Sequence, residues 1–540
     1  MSLKLERFID SFQDESFDVT IIGGGITGAT LAYEVASRGC SVCLVEKKDF
    51  GGATSAATGK LIHGGLRYLK QFEIGLVREA LKERRKLSNI APNLVYPYPM
   101  ILPKPGIIAR IGLFVYDLLS FDKAWTWDRS KKIPNHRYLK RKELLKQNLG
   151  DYEDAAYFYD AICLSPERLT LSFLKSAVLY GAKVSNYSEV KELLWDGDTV
   201  VGIQVTDTLA KKDYKIHSNV TINASGPWTQ DVLAKSKKTE VPFPKKRSEG
   251  IYLITKQVTP IMTLFVGEKG HFSFAPWRGH SMIGPTEKSY FGKVEDWKLT
   301  KESISEFIEY INETSHLKIK LKKEDVIAAY GGLRPLAEAS DDTYSASRRS
   351  ELYDHEKDGI RGLITAAGGK YTTSRHFAET IFKSIQKKLK QKFKPSISAK
   401  QHLYGSHIIG IEDFISKAKE KHKEFSESTI DYLVRHYGVD YETILALVEE
   451  NPKWGTVLSV DGEILAEVVF AIRYEMAKTL SDIFLRRTGL GTLGMLPKEK
   501  MDLVTETAGR ELKFSQEELE LETKKILKIL ELPIEKKLDI

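Results

Sequence analysis

The stretch Asp18–Gly28, DVTIIGGGITG, is typical of a buried strand that turns into a helix. Its spaced glycines are Gly23, Gly25 and Gly28. They let the backbone approach a pyrophosphate, whose charge is stabilised at the helix N-terminus. A second apolar strand ends at Glu46, about 20 residues further on, where a carboxylate can accept a hydrogen bond from a ribose hydroxyl. A lone glycine pattern is weak, but this order of strand, turn, helix, strand and acid predicts a dinucleotide site.

The composition is that of an ordinary globular protein. The chain has 540 residues, 42% of them hydrophobic, and a formal net charge of +8. Its length predicts about three domains. The basic residues are interleaved with acidic ones, which argues against a nucleic-acid stripe and suits an anionic substrate or an anionic membrane surface. The first 16 residues are polar, and no apolar run reaches the roughly 20 residues of a spanning helix, so we expect a cytoplasmic protein.

The three cysteines do not predict a redox or metal site. Three cysteines in a chain of 540 residues fit a reducing compartment. Cys40 and Cys43 form a C-x-x-C pattern within the second predicted strand. Side chains three residues apart on a strand lie about 10 Å apart, too far for a disulfide. We interpret both as core residues and expect no metal site.

The remaining pattern predicts an α/β fold. We expect a doubly wound, Rossmann-like dinucleotide-binding domain built from separate segments, an inserted β-rich substrate domain and a C-terminal all-helical domain. The expected bounds are 17–100, 151–235 and 340–393 for the dinucleotide-binding domain, 101–150 for a cap or membrane-contact segment, 236–339 for the substrate domain and 400–540 for the helical domain.

Several local predictions bear on the site. Residues 49–73 form a loop with five glycines, which lets backbone lie close to a ligand. Residues 107–119 are expected to form an apolar helix, and residues 326–336 a strand with a GGLRPL turn. Residues 464–487 are expected to form one helix.

Seven stretches, which cover most of the chain in order, carry a family resemblance. They are GGGITGA (Gly23–Ala29), ATSAATGKLIHGGLRYL (Ala53–Leu69), ARIGLFVYDLL (Ala109–Leu119), NASGPW (Asn223–Trp228), GGLRPL (Gly331–Leu336), GGKYTT (Gly368–Thr373) and AKTLSDIFLRRTGL (Ala477–Leu490). They resemble the FAD-dependent, quinone-linked glycerol-3-phosphate dehydrogenases, and KLIHGGLRYL is the most specific of them. The resemblance implies hydride transfer from C2 of sn-glycerol 3-phosphate to flavin N5, which yields dihydroxyacetone phosphate, and electron transfer to a membrane quinone.

The resemblance also implies a phosphate clamp. Its residues in this chain are Arg67, Tyr68, Arg334 and Arg348. An arginine fork matches phosphate oxygens with two donors. Each arginine taken singly is equally well explained by a surface salt bridge, so the clamp depends on their occurring together.

The chain departs from the family pattern at two of the implied substrate contacts. Tyr252 stands where the family usually has a histidine, in Gly-Ile-Tyr at 250–252. Thr286 lies in Ile-Gly-Pro-Thr-Glu at 283–287, where Ile-Gly-Thr-Thr-Asp is common. Losing the histidine removes a group that titrates near neutral pH, which puts the proton route and the strictness of substrate choice in question.

Three residues are candidates for the chemistry itself. His63 is the natural proton acceptor because imidazole titrates near neutral pH, although a lone histidine is often only a structural hydrogen bonder. Arg334 is the alternative, as a group that stabilises a developing alkoxide. Lys370 resembles the family's lysine near the flavin, where a cation can stabilise reduced-flavin charge, unless it faces solvent at a helix start.

The expected cofactor is noncovalently bound FAD. The implied contacts are Gly23, Gly25, Gly28, Glu46, Thr54, Ser55, Lys60, Leu61, His63, Gly226, Gly368, Gly369, Lys370 and Tyr371.

Residues 104–132 raise the question of a membrane. Basic and aromatic residues flank an apolar helix there, and the resemblance implies an interfacial anchor that reaches quinone. A buried cap helix is the alternative. The expected location is thus peripheral, on the inner face of a membrane. The oligomeric state stays open, with a homodimer as one candidate.

Other functions remain as alternatives. One is an oxygen-using flavin oxidase of glycerol 3-phosphate or of another hydroxy or amino acid. A second is a non-catalytic flavin-binding or electron-relay protein, against which the set of arginines argues. A nicotinamide enzyme is a third, disfavoured by the second glycine strand at residues 360–369.

Overall fold

The structure is a computed structural model. It describes residues 2–237, 241, 243, 247–268, 270–318, 320–335, 350–368 and 370–534. Two of the predicted site residues, Arg348 and Gly369, lie outside the described residues.

The strands lie within the first 368 residues, interspersed with helices, and the described residues beyond residue 389 form helices and no named strand. The strands are β1 (Ser16–Ile22), β2 (Val42–Val45), β3 (Leu61–Ile62), β4 (Val95–Pro103), β5 (Arg137–Lys140), β6 (Asp154–Cys163), β7 (Lys183–Ser185), β8 (Ser188–Asp196), β9 (Thr199–Asp207), β10 (Lys212–Asn223), β11 (Arg247–Lys256), β12 (Met262–Gly267), β13 (Gly270–Trp277), β14 (His280–Gly284), β15 (Lys288–Tyr290), β16 (Val326–Pro335), β17 (Ser350–Asp354) and β18 (Leu363–Gly368). The helices are α1 (Ile26–Ser37), α2 (Ile74–Ile90), α3 (Ile107–Leu119), α4 (Arg141–Leu145), α5 (Pro166–Leu179), α6 (Thr229–Leu233), α7 (Lys301–Thr314), α8 (Ser374–Leu389), α9 (Ile411–Lys421), α10 (Glu427–Tyr437), α11 (Tyr441–Glu450), α12 (Ala466–Glu475), α13 (Leu480–Asp482), α14 (Lys498–Leu512) and α15 (Gln516–Leu530).

Sheet A carries the glycine motif. Its strands run β17-β18-β10-β1-β2-β7, and the five strands from β18 to β7 are parallel. Helices α1, α5 and α8 bury their apolar residues against one face. The antiparallel pair β8 and β9 covers the other face. The prediction of an α/β fold is confirmed. The helices lie on one face of the sheet, because the β8–β9 ribbon packs on the other face.

Sheet B is larger and mostly antiparallel. Its order is β15-β11-β14-β13-β12-β4-β6-β3, with β16 beside β11 and β5 beside β6. Helix α7 packs on it through Ile304, Phe307, Ile308 and Ile311. Strands from the first part of the chain, β3, β4 and β6, thus join the sheet that the β-rich segment builds. The four-part division into domains stays a prediction.

Two local predictions are wrong. Residues 331–335 continue strand β16 instead of turning, because Gly331 and Gly332 pair with Ile251 and Gly250 of β11. The helix expected over residues 464–487 ends at Glu475, since Met476 adopts a left-handed conformation with φ of 60°. Thr479 then caps α13, and a π-helical turn, Ile483–Arg487, follows.

The C-terminal helices form two apolar cores. Helices α9 to α12 surround one core, and α12 to α15 surround the other, so α12 contributes to both. The predicted all-helical region is confirmed for the part of it that the structure describes. Among the described residues, no helix is both long and apolar enough to cross a membrane.

All three cysteines are buried and free, which confirms the interpretation of Cys40 and Cys43 as core residues. Cys43 lies in β2, and Cys40 precedes that strand. The described residues hold no group of three His, Cys, Asp or Glu side chains that could bind a metal ion.

Candidate functional site

A cavity of about 1780 Å³ lies between the two sheets. It extends from the glycine turn after β1, past the loop that joins β2 to α2, to strands β11 and β16 of sheet B. Its far end reaches helix α3. Most of the predicted site residues line it, and they are Gly23, Gly25, Glu46, Thr54, Ser55, Lys60, Leu61, His63, Arg67, Tyr68, Gly226, Tyr252, Arg334, Gly368, Lys370 and Tyr371.

The glycine turn has the geometry that a pyrophosphate requires. Gly23 has φ of +110°, and a Cβ there would lie 2.6 Å from the carbonyl oxygen of Ala224. A Cβ on Gly28 would lie 1.9 Å from the Gly23 oxygen. Helix α1 begins directly after Gly25, so its N-terminal N–H groups are positioned at the cavity. These residues fit the diphosphate of a dinucleotide.

Glu46 lies across from this turn at the end of β2. Its two carboxylate oxygens accept from the backbone N–H groups of Gly24 at 2.8 Å and Lys48 at 2.9 Å. Burial raises the pKa of the Glu46 carboxyl. The side chain lines the cavity where a ribose hydroxyl would be recognised, which fits the role predicted for it. Ser55 closes the same region, because its Oγ accepts from the Ile26 N–H at 2.9 Å.

The other end of the cavity gathers cationic side chains around His63. The Lys370 ammonium lies 3.6 Å from the centre of the Tyr68 ring. Arg67 donates to the Tyr68 hydroxyl at 3.1 Å and contacts Glu287 at 3.5 Å. Burial, with the nearby charges of Lys370 and Arg67, lowers the pKa of His63 to about 4 although Asp160 opposes this. His63 is therefore neutral at pH 7 and able to accept a proton.

A buried group that the sequence did not reveal holds the backbone beside His63. Asp160 of β6 accepts from Arg84 at 2.6 Å and from the Tyr116 hydroxyl at 2.8 Å. That hydroxyl in turn accepts from the Gly64 N–H at 2.9 Å. Burial and the Asp160 carboxylate raise the pKa of Tyr116, so the hydroxyl keeps the proton that it donates. Helices α2 and α3 are thus both tied to the residue that follows His63.

Sheet B contributes the wall of the cavity that faces the loop carrying Thr54 and Thr58. Tyr252 of β11 stacks on Tyr330 of β16 with 5.0 Å between ring centres, and the Tyr330 hydroxyl donates to the Thr58 oxygen at 2.8 Å. Thr54 donates to the Leu333 oxygen at 2.6 Å, next to Arg334. The loop and β16 therefore hold Arg334 at the cavity.

Thr286, by contrast, does not line this cavity. Its hydroxyl accepts from the Ile251 N–H at 3.0 Å, while its neighbours Pro285 and Glu287 face the cavity. Gly28 lies beneath the glycine turn. Tyr371, which lines the cavity, donates to the Pro166 oxygen at 2.5 Å.

Helix α3 carries an apolar surface at the cavity mouth. Its side chains Ile107, Ile111 and Phe114 are 76%, 59% and 66% exposed. Leu113 and Tyr116 on the other side of the helix are buried. The helix lies at residues 107–119, as predicted.

One of the cations expected beside this helix is not at the surface. Lys131 is buried, donates to the Val95 oxygen at 3.1 Å and lies over the Tyr96 ring. Burial lowers its pKa to about 7. Lys104, Arg129 and Lys132 remain exposed.

Comparison with known proteins identifies the family. Residues 18–375 match the family model of FAD-dependent oxidoreductases, and residues 396–519 match the C-terminal domain of alpha-glycerophosphate oxidase. The aerobic glycerol-3-phosphate dehydrogenase of Bacillus subtilis is 34% identical over 508 residues, 90% of each chain. A glycerol-3-phosphate dehydrogenase of Synechocystis is 32% identical over 90% of each chain.

Solved structures agree on the fold. The structure of glycerol-3-phosphate dehydrogenase from Bacillus halodurans complexed with FAD superimposes with a TM-score of 0.77 at 24% identity, over 98% of both chains. The L-alpha-glycerophosphate oxidase of Mycoplasma pneumoniae with FAD bound gives a TM-score of 0.52 at 17% identity, over 72% of this chain and 99% of that one. With FAD as its cofactor, the chain is an enzyme that belongs to the FAD-dependent glycerol-3-phosphate dehydrogenase family.

Proposed function

We propose that this enzyme oxidises sn-glycerol 3-phosphate to dihydroxyacetone phosphate. The observation that carries the proposal is the set of cations around a neutral histidine, with Arg67, Lys370 and Arg334 lining the same cavity as His63. A phosphate dianion and a secondary alcohol need an anion clamp and a proton acceptor. The names of the curated relatives support this substrate.

The side chains divide these tasks. Arg67 and Arg334 bind the phosphate oxygens through their guanidinium donors. His63 lines the cavity with an imidazole that is neutral at pH 7, and it accepts the proton of the C2 hydroxyl. The bound flavin supplies the hydride acceptor. Lys370 places a positive charge at the same end of the cavity, where it favours added electron density.

Tyr252 is suited to a different task from the histidine it replaces. Its ring is buried and stacked on Tyr330, so it shapes the wall of the cavity. We assign the proton to His63 and the fit of the substrate to Tyr252. Arg348 remains a proposed phosphate contact that lies outside the described residues.

Anaerobic mixing tests the reaction. Adding glycerol 3-phosphate to the air-free enzyme should bleach the visible absorbance of the flavin, whereas glycerol, which lacks the phosphate, should leave it unchanged. If an amino acid or glycerol reduces the flavin and glycerol 3-phosphate does not, the proposed substrate is wrong. Reoxidation of the reduced enzyme by a quinone analogue or by air then separates a dehydrogenase from an oxidase.

For the electron acceptor we propose a membrane quinone, reached from the inner face of an anionic membrane. The exposed apolar side chains of α3 support this, since Ile108 and Ile111 lie both on the surface and at the rim of the cavity. The exposed cations Lys104, Arg129 and Lys132 are suited to anionic head groups. Each contributes about 1 kcal/mol near such a surface, screened by salt.

Vesicle sedimentation tests this surface. The enzyme should sediment with vesicles that contain anionic lipid and should be released by salt. The double variant Ile111→Asp, Phe114→Asp should stay in solution and still be reduced by substrate. Ile409→Asp with Val460→Asp is the matched control, because both side chains are exposed and lie in the C-terminal region. Equal sedimentation of the α3 variant and the parent would exclude α3 as the contact.

A further inference from the structure

The C-terminal region reaches the cofactor site through two consecutive arginines. Arg487 donates to both oxygens of Asp49 at 2.8 Å, and Arg486 donates to one of them at 2.6 Å. Both arginines lie in the π-helical turn Ile483–Arg487. Asp49 lies in the loop after β2, three residues beyond Glu46. The contact therefore joins the helical region to the dinucleotide-binding part of the chain.

The loop that Asp49 begins rests directly on the glycine turn. The Gly51 N–H donates to the Gly24 oxygen at 3.0 Å. The ring of Phe50 lies against Gly24, so that a Cβ on that glycine would be 2.6 Å from Phe50 Cδ1. Ser55, five residues beyond Phe50, accepts from the first N–H of helix α1. Moving Asp49 would thus move the segment that holds the turn and the start of α1.

The charges at this contact are buried and balanced. Asp49 and Arg487 are 2% and 1% exposed. Asp482 accepts from Arg486 at 2.5 Å and from the Tyr187 hydroxyl at 2.8 Å, so two carboxylates face two guanidinium groups. Burial would raise the pKa of Asp49, but Arg487 and Arg486 lower it to about 2. Removing one member leaves a buried charge without its partner, which is strongly unfavourable.

Arg486 also lines the cavity itself, together with Leu485. The C-terminal region therefore forms part of the cavity wall and also binds the loop through Asp49.

We infer that Arg486 and Arg487 are positioning residues for FAD, and that one task of the C-terminal helical region is to complete the cofactor site by fixing the loop at residues 49–55 against the glycine turn. Residues 485–487 belong to the stretch AKTLSDIFLRRTGL, which the proposed reaction leaves without a role. The inference concerns FAD affinity and does not depend on the identity of the substrate.

The test compares two buried arginines that cross the same boundary. Arg487→Lys keeps the charge and loses the two-pronged contact with Asp49. Arg168→Lys is the matched control, because Arg168 of α5 also crosses to the C-terminal region, where it donates to Glu475 and His436 rather than to Asp49. The measurements are the rate of FAD release from the holoenzyme, the Kd of the apoprotein for FAD, and the thermal midpoint of the apoprotein.

Arg487→Lys should weaken FAD binding about tenfold, the scale of coupling through a positioning contact. Arg168→Lys should lower the thermal midpoint by a similar amount and leave the Kd near that of the parent. Adding Asp49→Glu, which lengthens the acid, should restore part of the FAD affinity lost in Arg487→Lys.

An unchanged Kd in Arg487→Lys, or an equal loss in both lysine variants, would overturn the inference. If Arg487→Lys does not fold, the double variant Asp49→Asn, Arg487→Gln removes both charges and keeps hydrogen-bonding groups. Folded apoprotein with weakened FAD binding supports the inference. Failure of this variant to fold, or normal FAD binding in it, would show that the contact serves folding alone.

Discussion

Replacing Asp160 with asparagine tests how the backbone beside His63 is held. The Asp160 carboxylate accepts from Arg84, from the Tyr116 hydroxyl and, at 3.3 Å, from the Gly64 N–H. Asp160→Asn keeps the shape of the side chain and removes its charge. Arg84, which is 2% exposed, then keeps a buried positive charge with no carboxylate opposite it.

The expected loss of stability follows from that geometry. Breaking a buried ion pair from one side costs about 3–5 kcal/mol. Tyr116→Phe, the matched control, removes the hydrogen bond from the hydroxyl to the carboxylate and the acceptor of the Gly64 N–H, but it leaves the ion pair, so it should cost about 1.5–3 kcal/mol. Combining Asp160→Asn with Arg84→Met should recover part of the loss, because no buried charge remains. Thermal midpoints followed by tryptophan fluorescence and by flavin release measure all three effects.

The same variant should change the pH dependence of flavin reduction. Burial lowers the pKa of His63, Asp160 raises it, and Lys370 and Arg67 lower it further, as does Arg84. Without the carboxylate, the pKa of His63 should fall further below its ordinary value. Protonated His63 cannot accept a proton, so reduction is lost at low pH. In Asp160→Asn that loss should begin at a lower pH than in the parent.

Anaerobic stopped-flow measurement of flavin reduction between about pH 3 and 7 checks this. Dividing the rate of each variant by that of the parent at the same pH cancels the titration of the substrate phosphate. Tyr116→Phe keeps the charge of Asp160, so flavin reduction should be lost at the same low pH as in the parent. The reasoning is refuted if Asp160→Asn and Tyr116→Phe lose the same stability. It is also refuted if Asp160→Asn loses flavin reduction at the same pH as the parent.

Three further predictions concern other parts of the molecule. Burial and Glu463 raise the pKa of Glu467 to about 8, so the protonated carboxyl stabilises the fold fully below the ordinary pKa of 4.5, and this stabilisation is lost as the pH rises towards 8. Glu467→Gln should therefore raise the thermal midpoint more at pH 8 than at pH 5. An equal shift of the midpoint at both pH values would contradict this explanation. Arg334→Ala should keep its flavin and lose about 2–4 kcal/mol in kcat/KM, roughly 30- to 1000-fold, in steady-state assays; a smaller change than about threefold would place Arg334 outside the site. Denaturation followed by ultrafiltration should release all FAD into the filtrate, and flavin retained with the chain would mean covalent attachment.

Local features of the site were predictable from the sequence. The glycine turn and Glu46 depend on neighbouring residues and on the spacing of two strands, and both lie at the cavity. The bounds of α3 follow from an apolar run that begins after Gly106. Such features need no knowledge of the tertiary fold.

Pairings between distant residues were not predictable. Arg84 and Asp160 are 76 residues apart, and Arg487 and Asp49 are 438 apart, so no spacing rule connects them. The end of α12 at Glu475 was not predictable either, because apolar periodicity does not show that Met476 is left-handed. The burial of Lys131 was not predictable because the sequence around a lysine does not show which residues pack over it. The Arg-Arg pair of the C-terminal stretch was the one available signal.

The loop between β2 and α2 explains why these distant pairings matter. The C-terminal arginines hold it at Asp49, sheet B holds it through Thr54 and Tyr330, and α3 holds it at Gly64. Thr372 accepts from the His63 N–H at 3.1 Å and holds the loop at that residue as well. Because the C-terminal region, sheet B and α3 all bond to this one loop, we expect a variant in any of them to disturb the backbone around the cofactor site. Loss of activity in a distant variant is therefore informative only when FAD affinity and flavin reduction are measured separately.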